Sequence, residues 1–401
     1  MSARTRLHPD VLRLGWVSLL TDVSSEMVFS VFAVVFTSVA GASAALLGLI
    51  EGLADLSASS LNAVSGWLSD RSGRRKVYAL LGYGFSTLAK ALLLVGTAAG
   101  TLAAFRVIER LGKGFRGPPR DAWLAAIAAG PARGYAFGVH KALDKAGAVI
   151  GPLLAWMLIS VLGESAGTYQ TLFWIAFAPA VLAVIVLARL EDRPAPPRSA
   201  VGLVQGWRAL GPGLRRFLLP AGIFALGYYS LGFLLVRAHQ LGFGVSGVVL
   251  LYALFNAVCV LAAPLVGLLG DRIGRRRIVP LGYALYGLVN LGLLVASQGW
   301  ELIALFVLYG IFYAIEESQS RAFVVDLEPQ SQATAIGLYN LVTGSLYLPA
   351  SLLAGVLWTV SPAAAFGVAA AISALAMLGF AIARPPCNVP PWNSDDPPMH
   401  V

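Results

Sequence analysis

Two pairs of carboxylates, Asp22 with Glu26 and Glu51 with Asp55, lie inside otherwise apolar stretches, each pair four residues apart. Two further stretches carry mixed sets: Arg106, Glu109, Arg110 and Lys113 in one, Lys141, Asp144 and Lys145 in the other. Spacings of three, four and seven place each set on one face of a helix. With Lys90 they make six acids and six bases in the first half of the chain. A charge at the middle of a membrane span costs about 2.5–3.5 kcal/mol, so twelve facing lipid would cost roughly 30 kcal/mol. Native stability is only about 5–15 kcal/mol, so these groups must face one another or water. A hydrated, salt-bridged cavity in the N-terminal half is the economical solution. A carboxylate beside Arg or Lys exchanges its proton when a substrate competes for the base. On that chemistry Asp22 and Glu26 are the first candidates for proton carriers and Glu109 the next. Glu51, Asp55, Arg110, Lys113, Lys141 and Asp144 are candidates for substrate or counter-charge contact. For Lys90, Arg106 and Lys145 a purely structural ion pair is as good an account.

The elements that must position these groups follow from hydropathy. The chain has 401 residues, of which 58% are hydrophobic and 12% charged. Soluble domains carry roughly 25% charged residues, so lipid is the solvent implied. Apolar runs and turn residues place twelve spans near 11–40, 43–69, 75–97, 101–118, 133–160, 168–190, 215–240, 244–270, 277–298, 301–321, 332–360 and 362–384. Each must be helical, because lipid cannot satisfy exposed backbone groups. The run Val28–Ala40 with the small residues after it superficially offers a signal peptide, but Asp22 and Glu26 precede it and the n-region is too long. It is read as an uncleaved first span.

The net charge of +9 has its own pattern. Alternate loops, with both ends of the chain, hold 21 of the 29 basic residues, among them Arg71, Arg74, Arg116, Arg120, Arg272, Arg275 and Arg321. The loops between, such as 96–100 and 297–301, hold none. Lys and Arg resist translocation, so both termini are expected in the cytoplasm, in a multi-pass protein of the cell inner membrane. The charge therefore does not call for nucleic acid. Residues 191–213 form a central linker with a short amphipathic helix expected over 201–210, and the Pro-rich tail 385–401 is expected to be disordered. The implied division is a six-helix bundle over 1–190, the linker, a second bundle over 214–384 and the tail.

Gly66-Trp67-Leu68-Ser69-Asp70-Arg71-Ser72-Gly73-Arg74-Arg75-Lys76 recurs, 201 residues on, as Gly267-Leu268-Leu269-Gly270-Asp271-Arg272-Ile273-Gly274-Arg275-Arg276-Arg277. Both copies follow the second span of their half. A carboxylate at that helix end can pair with Arg or face a helix N-terminus, and the adjacent Gly permits a tight turn. A topogenic charge cluster alone would explain the Arg run, but not the whole core appearing twice. Internal repeats mark secondary transporters. On this loop the chain resembles the major facilitator superfamily, whose hallmark is Gly-x-x-x-Asp-Arg-x-Gly-Arg-Arg/Lys; the resemblance extends over about residues 11–384. Arg110-x-x-Lys113-Gly114 resembles a family motif associated with proton coupling. Gly147-x-x-x-Gly151-Pro152 resembles the antiporter motif, with Ala155 and Trp156 in place of its terminal glycines. The stretch Leu20–Met27, with Arg110–Asp121, looks like a poorly characterised prokaryotic branch. The resemblance implies an all-α fold of twelve transmembrane helices in two pseudo-symmetric six-helix bundles. It also implies gating roles for Gly66, Asp70, Arg71, Gly73, Arg74, Gly267, Asp271, Arg272, Gly274, Arg275, Gly147, Gly151 and Pro152.

In the C-terminal half, Glu316 and Glu317 share a span, one expected at the cavity and one at a gate or interface. Tyr228, Tyr229, Asn256, Asn290, Tyr339 and Asn340 suit interhelical hydrogen bonds better than ligand contacts, and Arg237 suits snorkelling. Gly112-Lys113-Gly114-Phe115-Arg116-Gly117 reads Gly-x-Gly-x-x-Gly but lacks the strand a dinucleotide site needs. No Walker A pattern, catalytic triad or Cys/His cluster is present, so no enzyme activity, cofactor or metal is expected. The leading expectation is a monomeric secondary transporter of a small solute, proton-coupled and exporting by antiport. The alternatives are an importer or uniporter of an organic anion, and a non-transporting sensor that keeps the fold.

Overall fold

The structure is a computed structural model that describes residues 8–127, 133–192, 210–328 and 332–385, with the side chains of residues 70, 133–135 and 332–334 left aside. The expected 201–210 helix (apart from its last residue), the tail beyond residue 385 and the Asp70 side chain lie outside these limits. Twelve helical rods are described: α1 Pro9–Val39, α2 Ala44–Ser72, α3 Arg75–Leu93, α4 Ala99–Ile127, α5 Arg133–Leu162, α6 Ala166–Ala188, α7 Pro212–Gln240, α8 Val245–Ile273, α9 Arg275–Val295, α10 Gly299–Leu327, α11 Gln332–Val360 and α12 Pro362–Ala383. Among the described residues, ten are long and apolar enough to cross a membrane on composition alone; α3 and α4 are not. For α4 the reason is its charge, which is turned toward the protein interior.

Packing repeats between the halves. In the first, α1 packs on α5 and α6, α2 on α4, and α3 on α4 and α6. In the second, α7 packs on α11 and α12, α8 on α10, and α9 on α10 and α12. Adding six to each helix number of the first set yields the second. The two bundles meet along α2–α11 and α5–α8, seams that exchange under the same operation. The duplicated loop thus marks a duplicated bundle.

The repeat forms the turns it predicts. Gly73 caps α2 at φ 69° and Gly274 separates α8 from α9 at φ 88°, values that favour a residue without a Cβ. These turns and the start of α1 lie at one face of the molecule, here called the basic face. At the far face, the bundles touch through small residues. A Cβ on Gly355 would stand 2.6 Å from the Ala44 carbonyl oxygen, and one on Gly52 2.8 Å from the Leu348 Cα. Ser160 and Ser246 join the other seam at 3.4 Å. Phe32, Phe36, Leu47, Phe233 and Trp358 belong to one buried apolar cluster that spans both bundles.

Two spans run well past their expected ends. The fourth runs to Ile127 rather than 118, and the tenth to Leu327 rather than 321. Arg120, read as a loop charge, is therefore helical, as are Arg116 and Arg321, counted with the loops at the ends of their spans. Pro118 and Pro119 do not stop α4. Proline removes a donor to the carbonyl four residues back; for Pro118 that is Gly114, whose oxygen accepts a hydrogen bond from Ser65 Oγ at 3.3 Å instead. In α10 a π-helical turn spans Glu316–Ser320. Such turns concentrate at functional sites.

Candidate functional site: a central charged cavity

A cavity of about 510 Å³ lies between the bundles, a size suited to a small molecule. Its lining runs from mid-helix positions such as Glu26, Ser230 and Tyr252 to Asn62, Arg120 and Arg321 nearer the basic face. Its lining thus extends toward the basic face, while at the far face the bundles meet through Gly355 and Ala44 and through Ser160 and Ser246.

The charged helix faces converge on it, as their spacing requires. Arg106 forms a two-pronged ion pair with Glu51, 2.6 Å from Nε to Oε1 and 2.8 Å from a terminal nitrogen to Oε2. Both side chains are buried, and the guanidinium lies 4.2 Å over the Phe29 ring. Glu51 Oε2 also accepts from Ser230 Oγ of the other bundle at 2.7 Å. Ser230 sits where α7 is interrupted, between Gly227 and Gly232. Arg110 pairs with Asp55 at 2.9 Å. Glu109 lies 3.7 Å from Arg106 and 3.4 Å from Ser25 Oγ, to which Lys90 donates at 3.0 Å. Asp144 accepts from Ser18 at 2.5 Å and faces Arg120 at 3.6 Å and Lys141 at 3.4 Å.

Ties between the bundles also cross the cavity. Lys145 reaches Glu317 at 3.0 Å and Lys141 reaches it at 3.5 Å. Tyr252 donates to Glu26. Glu316 accepts from Ser320 and Tyr339, both at 2.8 Å. Glu316 and Glu317 thus both line the cavity, with Glu317 the one that bridges the bundles.

Some groups stand apart. Among the described residues, no cation lies within 4 Å of the Asp22, Glu26 or Glu316 carboxylates, and no carboxylate lies that close to Lys113, Arg116 or Arg321. Arg116 donates to Ser86 at 2.5 Å and lies over Tyr83; Lys113 is exposed to the cavity. Asp22 lies in the field of Asp144, Lys113, Glu26 and Arg116.

Other sequence candidates fall outside the cavity. Gly147 and Gly151 bring α5 onto α1: an added Cβ would stand 2.6 Å from the Leu19 or Val23 carbonyl oxygen, respectively. Pro152 lies in the same helix. Gly66 faces Pro118 at 3.3 Å, whereas nothing lies within 4 Å of a Cβ on Gly267. Arg275 donates to Asp326 at 2.6 Å and to Asp271 at 2.9 Å, tying the second copy of the repeat to the end of α10. Arg71 lies over Trp67; Arg74 is exposed, as is Arg272. Tyr229 donates to Asn290, the interhelical role expected, while Tyr228, Asn256, Tyr339 and Asn340 line the cavity. Residue typing missed Tyr252, Phe255, Tyr309, Tyr313 and Tyr347 there. Aromatics on apolar helices carry no signal that separates a cavity wall from a core. No group of His, Cys, Asp or Glu among the described residues has the arrangement of a metal site.

Comparison with known proteins agrees with this architecture. A family model described as Major Facilitator Superfamily matches residues 14–236 and 217–398. The chain is 35% identical over 384 residues to an uncharacterized MFS-type transporter of Methanocaldococcus jannaschii, covering 93% of this chain and 95% of that one. It is 26% identical over 411 residues to the probable nitrate/nitrite antiporter NarK1 of Thermus thermophilus, covering 92% and 91%. Among solved structures, the nucleoside transporter NupG superposes with a TM-score of 0.76 at 12% identity, covering 94% and 99%. Two bundles related by a shift of six in helix number, a duplicated Asp-Arg-x-Gly-Arg-Arg turn and a family model matched in both halves place this chain in the major facilitator superfamily.

Proposed function

We propose that the protein is a proton-linked secondary transporter of a small solute, working by alternating access between the two bundles, with export by antiport as its direction. The single observation that carries the reading is the pair Asp22 and Glu26. Both line the cavity, neither has a cation within 4 Å among the described residues, and Glu26 is held by Tyr252 of the opposite bundle. A carboxylate so placed changes protonation without breaking an ion pair, and its change alters a contact between the two moving bodies. Glu109 is next in line, joined through Ser25 to Lys90. Glu51, Asp55 and Asp144 serve as counter-charges to Arg106, Arg110, Arg120 and Lys141. The moving bodies are residues 1–190 and 214–384, and the Arg275–Asp271–Asp326 tie stiffens the gate at the basic face. That face is cytoplasmic by its Arg and Lys content, so the cavity extends toward the cell interior. The direction is in keeping with the span-five motif and with the antiporter named among the relatives.

The test is purified protein in liposomes with an imposed pH gradient, screened against candidate solutes. A transported solute collapses the gradient. Glu26→Gln is expected to abolish that coupling while substrate exchange persists. Proton-coupled flux that survives both Glu26→Gln and Asp22→Asn would remove these residues from the mechanism.

A further inference from the structure

The cavity is two-faced. Of its charged lining residues, twelve come from the N-terminal bundle and only Glu316, Glu317 and Arg321 from the C-terminal one. All six lining tyrosines come from the C-terminal bundle. Several of their rings contact one another or neighbouring phenylalanines: Tyr228 and Tyr347 at 5.3 Å between centroids, Phe255 and Tyr313 at 5.4 Å. One wall therefore offers charge, the other π-faces and hydroxyl groups. Such a division suits a solute that is itself divided, with an ionised end and a planar body.

The sign of the ionised end follows from the pairing. Eight cations and seven carboxylates line the cavity. Most are consumed in mutual pairs: Arg106 by Glu51, Arg110 by Asp55, Arg120 and Lys141 by Asp144, Lys145 by Glu317. An incoming cation would have to compete for carboxylates already held by Arg or Lys, displace Tyr252 from Glu26 or Ser320 and Tyr339 from Glu316, or take Asp22, the group that the proton-linked reading already uses as a proton carrier. An incoming anion meets Lys113, exposed on the wall, with no carboxylate within 4 Å among the described residues and with Arg110 three residues before it on the same helix face. Desolvating an anion is offset there without breaking an existing pair. Charge at Lys113 would also be felt by Asp22, whose field Lys113 dominates among the cations, which links solute binding to the protonation step.

We propose that the transported solute is a small aromatic anion, its carboxylate or equivalent acidic group held by Lys113 and its ring laid against the tyrosine wall of the C-terminal bundle. This deepens the proton-linked reading by naming its substrate class. The anion site can be tested without any gradient, so the two can fail separately.

The experiment measures equilibrium binding to the purified full-length protein by isothermal titration, with four probes: phenylacetate, its neutral amide phenylacetamide, the cation phenethylamine, and acetate. Phenylacetate is expected to bind at least tenfold tighter than each of the others. Lys113→Gln should erase the preference over phenylacetamide, Lys113→Arg should keep it, and Tyr313→Ala should narrow the margin over acetate. Circular dichroism and gel filtration of each variant establish that it is folded. Tighter binding of phenethylamine, equal binding of phenylacetate to Lys113→Gln, or no binding of phenylacetate at millimolar concentration each overturns the proposal. Binding of phenylacetate with no effect on proton flux in liposomes would leave the anion site standing and sink the proton-linked reading.

Discussion

Replacing Glu51 by Gln isolates the energetic centre of the charged wall. The change preserves shape but removes the charge that faces Arg106 over contacts of 2.6 and 2.8 Å, where the two side chains are 1% and 4% exposed. Breaking a buried pair by removing one partner costs about 3–5 kcal/mol, because an uncompensated charge remains. Two features set the figure here. The amide nitrogen of Gln would present a donor to the Arg106 nitrogen where a carboxylate oxygen accepted. Against that, Glu109 remains 3.7 Å from the guanidinium and Ser230 can rotate its hydroxyl to accept. The expected loss is therefore near the lower end, about 3 kcal/mol. Removing both charges together, as Glu51→Leu with Arg106→Met, should recover most of it, since a buried pair and a well-packed apolar pair are often equivalent. The assay is denaturant unfolding in a fixed micelle, run as a double-mutant cycle. A Glu51→Gln protein within about 1 kcal/mol of the parent, or a double variant no more stable than the single, would refute the buried-pair reasoning.

Two further outcomes follow from the backbone. Gly151→Ala places a methyl 2.6 Å from the Val23 carbonyl oxygen and 3.0 Å from the Met27 nitrogen, backbone atoms that cannot swing away. The expected loss is about 1–3 kcal/mol from overpacking, read by unfolding, together with weaker proton coupling as Glu26 shifts; an unchanged midpoint would show that α1 yields freely. Ser65→Ala leaves the Gly114 carbonyl, already deprived of a donor by Pro118, without its 3.3 Å partner. That should cost about 1–3 kcal/mol, and adding Pro118→Ala should restore stability; failure of that rescue would show that Ser65 acts elsewhere.

Much of the candidate site was legible because charges inside a membrane have few options. The i, i+3, i+4 sets on the first, second, fourth and fifth spans had to turn inward, and Asp22, Glu26, Asp55, Glu109, Arg110, Lys113, Lys141 and Asp144 do line the cavity. Arg120 lies beyond the expected end of the fourth span at 118, but α4 continues through Pro118 and Pro119; the Gly114 carbonyl that Pro118 leaves free is met by Ser65 of another helix, a partner invisible to local reasoning. The tyrosine wall was missed for a related reason, since a Tyr on an apolar helix reads alike whether it meets a core or a void.

Sequence alone determined that the chain is a duplicated bundle of membrane helices with ionised groups on its inner faces, because the cost of charge in lipid leaves no other arrangement and the duplicated turn states the symmetry. It could not decide which charge meets which. Arg106 choosing Glu51 and Arg110 choosing Asp55, Ser230 reaching across from an interrupted helix, and the segregation of charge from aromatic rings between the two bundles all depend on how rods far apart in sequence are set side by side. Pair energies fall within a few ångströms of separation, and distances of that size exist only once the tertiary packing is made.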